Sequence, residues 1–272
     1  MKVILSRKGF DSHYGGQASP ILPNGTLLSL PIPYVNDKVN FGELYHNNKS
    51  YAEIIIELNS RNRQITKETK AHLDPDLRKD VYPRQNRNWK PIFGQSGAAQ
   101  GHLRNQNVSE NDIFLFFGWF KQTEIFNGKL RYKINSPDLH VIYGYLQIGE
   151  IYRHGDKFPE YAIGHPHYEK VHSDLKSNCI YIAKDRLTFN ETLSGAGNLN
   201  YNKNLVLTKE KMTKGKWELP QFMHELNISH HTGTNTYGFI ENYFQSADIG
   251  QEFVISPSEK LTLWAKELIE RN

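Results

Sequence analysis

Residues 112–120 read DIFLFFGWF and residues 139–151 read LHVIYGYLQIGEI. The first is a short, nearly continuous apolar run, the mark of a buried strand. The second is a longer β-type run interrupted by Gly144 and Gly149. Glycine inside a strand marks a bulge, or a bend where a sheet curls. Between the two, Asn127-Gly128 is a hairpin signal. Acidic turn, aromatic strand, hairpin and glycine-bent strand in that order predict a sheet curling into a small barrel.

Outward from this centre the signals are shorter. Residues 3–5 and 178–183 read as further strands. Asn24-Gly25 marks a turn, and residues 27–32 resume an extended segment closed by Pro31 and Pro33. Apolar residues at Leu44, Tyr51, Ile54, Ile55 and Leu58 predict a helix over 41–58. Residues 94–106 look helical, with Leu103 inward. Ser256-Pro257-Ser258-Glu259 reads as a capping box with proline at the first helical position. It opens a helix whose stripe is Leu261, Trp264, Ala265 and Leu268. Residues 59–92, 155–178 and 190–216 are polar or loop-rich. No repeat and no linker divides the chain. The expectation is one α+β domain spanning 1–272, a curled β-sheet or small barrel with flanking helices.

With 272 residues and 12% aromatic side chains, the chain can bury a core, and a net charge of +4 is too small to argue for disorder. One cysteine, Cys179, rules out an intrachain disulfide and a cysteine-rich zinc site. The opening MKVILSRKGF has too short an apolar run for a signal peptide or a membrane span. A cytoplasmic protein is expected, with no membrane and no obligate protein partner. The sequence pI near 8.9 permits binding to nucleic acid.

Four constellations carry possible chemistry. Arg7, Lys8, Asp11 and Ser12 lie among Gly9, Gly15 and Gly16 after the first strand. Glycines let a backbone approach a phosphate, the basic pair attracts it, and a carboxylate does chemistry. The alternative is an ordinary polar turn. In HLDPDL (72–77), Asp74 and Asp76 point to one side of an extended segment and would hold magnesium or share acid–base roles. An Asp-Pro turn with Asp74 as helix N-cap explains the pattern unaided and is preferred. Trp89, Phe116, Phe117, Trp119 and Phe120 offer rings for stacking on bases. Most are expected in the core, with Trp119 the exception. His165, His167 and His172 in HPHYEKVH, with His230 and His231, match no helical zinc-peptidase spacing. They are read as surface residues, and neither metal nor cofactor is expected.

Several stretches together resemble a known family: ILSRKGFDS-x-YGG-x-x-SPILPNGTLLSLPIP (4–33), HLDPDL, FGQSGAAQGHL (93–103), FLFFGWFK (114–121) and DLHVIYGYLQIGEI (138–151). In order and over most of the chain, they resemble the third family of nucleotide-modification-associated domain proteins. That name marks genomic association with modified-base systems and implies no particular mechanism. A weaker resemblance, through residues 111–116 and 144–150, is to PUA-like barrels of the EVE and ASCH type. These flip modified bases into an aromatic cage.

The reading that joins these observations is a DNA glycosylase. It would excise a modified base, a hypermodified cytosine in defence against phages, from DNA carrying such bases. Such an enzyme extrudes its base and stabilises an oxocarbenium-like sugar with a carboxylate. Asp11 is the first candidate for that carboxylate, with Asp74 and Asp76 behind it. Trp119, Phe10, Gln95, Gln100, His102 and Tyr143 are candidate base contacts. Arg7, Lys8, Ser12, Gly15 and Gly16 are candidate phosphate contacts. The alternatives are a non-catalytic reader of modified bases, or a transferase or nuclease of a modification system. A nuclease would use Asp74 and Asp76 with a divalent metal.

Overall fold

A computed structural model describes residues 1–59, 65–84, 88–232, 236–247 and 250–272. Its centre is a strongly curled sheet whose strands are β1 (Val3–Arg7), β2 (Ser19–Ile21), β3 (Ile92–Gln95), β4 (Ile113–Phe126), β5 (Lys129–Tyr132), β6 (Leu139–Arg153), β7 (Cys179–Ala183), β8 (Ala196–Asn198), β9 (Ile228–Ser229) and β10 (Glu252–Ile255). They run in the order β9-β10-β1-β4-β6-β7-β3, with β2 and β5 also on β4 and β8 on β6. The pairs β1–β4 and β2–β4 are parallel, and the rest antiparallel. The α+β half-barrel agrees with the expectation.

The glycine signals act where they stand. Register shifts fall between Ile142 and Gly144 and between Ile148 and Glu150, so each glycine sits at a bulge that bends β6. A Cβ at Gly149 would meet the Lys184 backbone at 3.0 Å, so the strand can fold back closely there. Asn127 and Gly128 both have positive φ, 49° and 76°, and close the β4–β5 hairpin as a primed turn.

One face of the half-barrel carries Phe93, Phe114, Phe116 and Tyr181. Phe93 sits 4.7 Å from Phe114 and 5.2 Å from Phe116, edge to face. Each such fully buried ring contributes about 1.5–3 kcal/mol. On the opposite face Phe117 and Phe253 pack on Trp217. Helices α2 (Gly97–Asn105) and the short α3 (Lys170–Ser173) precede helix α4 (Glu259–Glu270), which adds Leu261, Ala265 and Leu268 to that core. A second core gathers Phe10, Phe41, Tyr51, Ile55 and Leu130 around helix α1 (Tyr51–Leu58).

Three helix readings need correction. The helix expected over 41–58 begins only at Tyr51. Ser50 and Glu53 form a complete capping box there, while Tyr45–His46 and Lys49–Ser50 pair as a small hairpin. Gly94 lies within β3, and helix α2 spans Gly97–Asn105. At α4 the cap is Ser258, accepting from Leu261 N–H at 3.0 Å, so Pro257 precedes the helix rather than opening it. Among the described residues no helix is long and apolar enough to cross a membrane.

Candidate functional site

Strand β3 is the hinge of the functional geography. Side chains alternate across a strand, so Phe93 and Gln95 face the half-barrel interior while Gly94 faces outward. A polar cluster has assembled on each side.

The interior cluster closes the polar end of the half-barrel around Glu252, which β10 delivers opposite Ser6 of β1. Glu252 has no exposed surface. Its Oε1 accepts from Ser6 Oγ at 3.0 Å, Lys8 Nζ at 3.1 Å and Gln95 Nε2 at 2.6 Å. Its Oε2 is also buried and has no hydrogen-bond partner among the described residues. Gln251 Oε1 accepts from Lys8 Nζ at 2.6 Å and Gln95 Nε2 at 2.9 Å, and the Lys8 ammonium lies 4.5 Å above the Phe93 ring. His102 on α2, His230 and His231 stand over this group with ring centroids 4.5–6.4 Å apart. Burial lowers the affinity of all three for protons, and with the fields of His231, His102 and Arg7 it pushes His230 down to about 3. Gln251, Ser229, His231 and Arg7 are half-buried and form the rim.

The outer cluster gathers Asp37, His72, Asp74, His165, His167 and His172, with Asn178 behind. Asp37 spans two rings, with Oδ2 2.6 Å from His72 Nδ1 and Oδ1 3.1 Å from His172 Nε2. Asp74 Oδ1 accepts from Gly94 N–H at 2.7 Å and lies 3.2 Å from His165 Nε2. Burial alone would raise the Asp74 carboxyl, but His165 and the rings around it hold it well below the usual carboxylate range. Burial pushes the His167 imidazole down to about 3 against the pull of Asp74. The reading of His165, His167 and His172 as surface residues is therefore wrong: all three are buried. Loop histidines find cover here because the loop folds back onto β3, where Gly94 leaves room. A Cβ on Gly94 would lie 2.2 Å from the His167 ring.

The expected helix cap at Asp74 is absent too. Asp74-Pro75 is a cis bond, and Asp76 bridges to Ile92 in extended backbone. The two carboxylates part company. Asp76 is held by Arg84 through two 2.6 Å bonds and by Trp89 Nε1 at 3.0 Å. Both line a cavity with Tyr143, Gly9 and Ser29, but its volume of about 40 Å³ admits water rather than a base.

The turn after β1 differs from the expectation. Asp11 Oδ1 accepts from the His13 and Tyr14 N–H groups at 2.8 and 2.7 Å, closing its own turn, with Ser12 and Gly16 on the exposed surface. Phe10 is core rather than base contact: it packs on Phe41, and Gly15 lies so close above it that a Cβ would meet the ring at 2.3 Å. Lys8 points away from the turn into the Glu252 pair, so it is not available to a phosphate there. Tyr143, in the β6 bulge, is buried, and burial raises its hydroxyl's pKa against a hydrogen bond with Ser29. Trp119 is half-buried, donates to Asp138 at 2.8 Å and carries the Lys214 ammonium 4.6 Å over its ring. Gln100 reaches inward to accept from the Tyr181 hydroxyl at 2.9 Å.

The family model described as nucleotide modification associated domain 3 matches residues 2–256. The chain belongs to this family. Comparison with curated proteins and with solved structures gave no match. In this nucleotide modification associated domain 3 chain, Lys8, expected at a phosphate, and Gln95 and His102, expected at a base, gather about a carboxylate that the sequence motifs do not mark. Glu252 sits in QEFVI, a run that reads as an ordinary edge strand. Its signal was a glutamate alternating onto the same face as apolar residues of a strand with a core to fill. Asp37 carries no signal of spacing, because its partners His72 and His172 lie 35 and 135 residues away along the chain.

Proposed function

We propose that the chain excises a modified base from DNA by hydrolysing its N-glycosidic bond at the interior cluster, with Glu252 as the reacting carboxylate. The observation that carries this reading is the buried Oε2 of Glu252, without a partner among the described residues while three donors fix Oε1. A carboxylate held rigid at one oxygen and bare at the other suits a sugar that becomes cationic as its base departs. In the step, the C1′–N bond breaks, and its electrons leave with the base. Water adds to C1′ and gives a proton to Glu252, which passes it to the departing base, so the carboxylate is restored. Gln95, Gln251 and the three imidazoles supply donors and acceptors for the polar edge of an extruded base. Family membership supports the target class.

A groove of about 640 Å³ beside α4, with Phe239, Tyr243 and Trp264 in its wall, would also admit a base. Of its acidic residues, Glu218 is exposed and the half-buried Glu267 pairs with Arg271 at 3.4 Å, so the groove suits binding rather than this chemistry. The test is incubation of the protein with phage DNA carrying modified cytosine and with plain DNA, reading released base by mass spectrometry and abasic sites by alkaline cleavage. Release from modified DNA alone is the expected result. Tight binding without release would replace the enzyme by a reader using the same residues.

A further inference from the structure

The outer cluster turns three unspent ligand atoms toward one another. His72 Nδ1 lies 2.6 Å from Asp37 Oδ2. An ionised carboxylate only accepts, so Nδ1 carries the hydrogen and Nε2 the lone pair. The same logic fixes His167. Asn178 donates its Nδ2–H to the His167 carbonyl at 3.0 Å, which leaves its Oδ1 to accept from His167 Nδ1–H at 2.6 Å. The His167 lone pair is therefore also on Nε2. Asp74 spends Oδ1 on Gly94, while Oδ2 stands 4.0 Å from His72 Nε2. One ligand atom from each of His72, Asp74 and His167 lies within 4.8 Å of the others.

We propose that His72 Nε2, His167 Nε2 and Asp74 Oδ2 bind one divalent transition-metal ion, with Asp37 and Asn178 orienting the two imidazoles from behind. Backing of a metal-bound imidazole by a carboxylate or carbonyl at its other nitrogen is what such sites require to fix the tautomer. The overlapping set of Asp37, His72 and His172 is not the site, because its atoms are already bonded to one another at 2.6 and 3.1 Å. His165 adds a second pointer. Its buried Nε2 meets no hydrogen-bond geometry among the described residues, yet it lies 3.2 Å from Asp74 Oδ1, placed to steady that carboxylate. Two imidazoles and one carboxylate select zinc or iron(II) over magnesium and calcium. Three protein ligands leave a coordination position open for water or a substrate oxygen. This site lies on the opposite side of β3 from Glu252 and does not rest on the glycosylase reading.

The test uses the full chain purified without chelator. Elemental analysis should find about one zinc or iron per chain, as a single site of this type requires. The chelated protein should take up Co²⁺ with a visible absorption band and ignore Mg²⁺ at the same concentration, and competition between Zn²⁺ and Fe²⁺ then separates the two ions. His72→Gln and His167→Gln should lose the band, and Asp37→Asn should weaken uptake about 10–100-fold. Should those variants not fold, the parent decides alone: its Co²⁺ form should show two paramagnetically shifted imidazole N–H protons protected from exchange, those held by Asp37 and Asn178. No uptake, a band unchanged in folded His167→Gln, or the lack of those two protons would overturn the site.

Discussion

Replacing Lys8 by methionine takes the ammonium from beside Glu252 while keeping the bulk of the side chain. The pair is buried, with side-chain exposures of 7% and 0% and 3.1 Å between the charges. Breaking a buried pair by removing one partner typically costs about 3–5 kcal/mol, because the remaining charge stays desolvated. Glu252 keeps the donors of Ser6 and Gln95 at 3.0 and 2.6 Å, which places Lys8→Met at the low end, about 3 kcal/mol. Adding Glu252→Gln removes the stranded charge, and the double variant should recover to within about 1 kcal/mol of the parent. Urea unfolding reads both effects as shifts of the midpoint at constant slope. A cost below about 1 kcal/mol for Lys8→Met, or a double variant no more stable than the single one, would show that Lys8 does not balance a buried Glu252 charge.

Other consequences follow from the same geometry. His140 is wholly buried, accepts from Trp217 Nε1 at 3.0 Å, and is pushed from 6.5 down to about 3 by burial first and then by the charges of Arg7 and Lys214. Its folded value lies below its unfolded one, so its contribution is complete above pH 6.5 and is lost as pH falls toward 3. The slope is about 1.4 kcal/mol per pH unit, and His140→Gln should flatten a pH series of urea midpoints by that amount. Gly94→Ala puts a methyl 2.2 Å from the His167 ring, so it should cost about 1–3 kcal/mol of stability and weaken Co²⁺ uptake; a parent-like variant would show that the ring does not rest on β3. Trp119→Ala should leave affinity for modified DNA within twofold of the parent, because Lys214 already covers that ring; a loss of the 1–3 kcal/mol typical of one base stack would return Trp119 to the pocket.

What the sequence made legible was local. The β6 bulges at Gly144 and Gly149 and the Asn127-Gly128 hairpin could be read because each glycine or turn pair dictates its own backbone. The start of α1 was misread because apolar Phe41 and Leu44 continue the helical period, yet the cap at Ser50 decides where hydrogen bonding begins. At the sites the limit was range. Lys8 drew notice as a basic residue beside glycines, and its partner Glu252 is 244 residues distant. Asp74 and Asp76 read as one pair because they are neighbours in sequence, although one faces histidines and the other Arg84. Buried polar groups need partners, and no periodicity tells which distant residue supplies them.

Whether Glu252 carries out base release is decided by single-turnover kinetics on DNA containing modified cytosine. Glu252→Gln keeps the size of the side chain and an Oε1 able to accept from Lys8, while removing the negative charge. With folding checked by circular dichroism and binding to the same DNA measured in parallel, affinity should stay near the parent's. Release of the modified base should fall by roughly 10²–10³-fold or more, as for other sites that lose charge stabilisation of the transition state. Release at the parent rate by a folded, DNA-bound Glu252→Gln protein would contradict the account and place the reaction elsewhere.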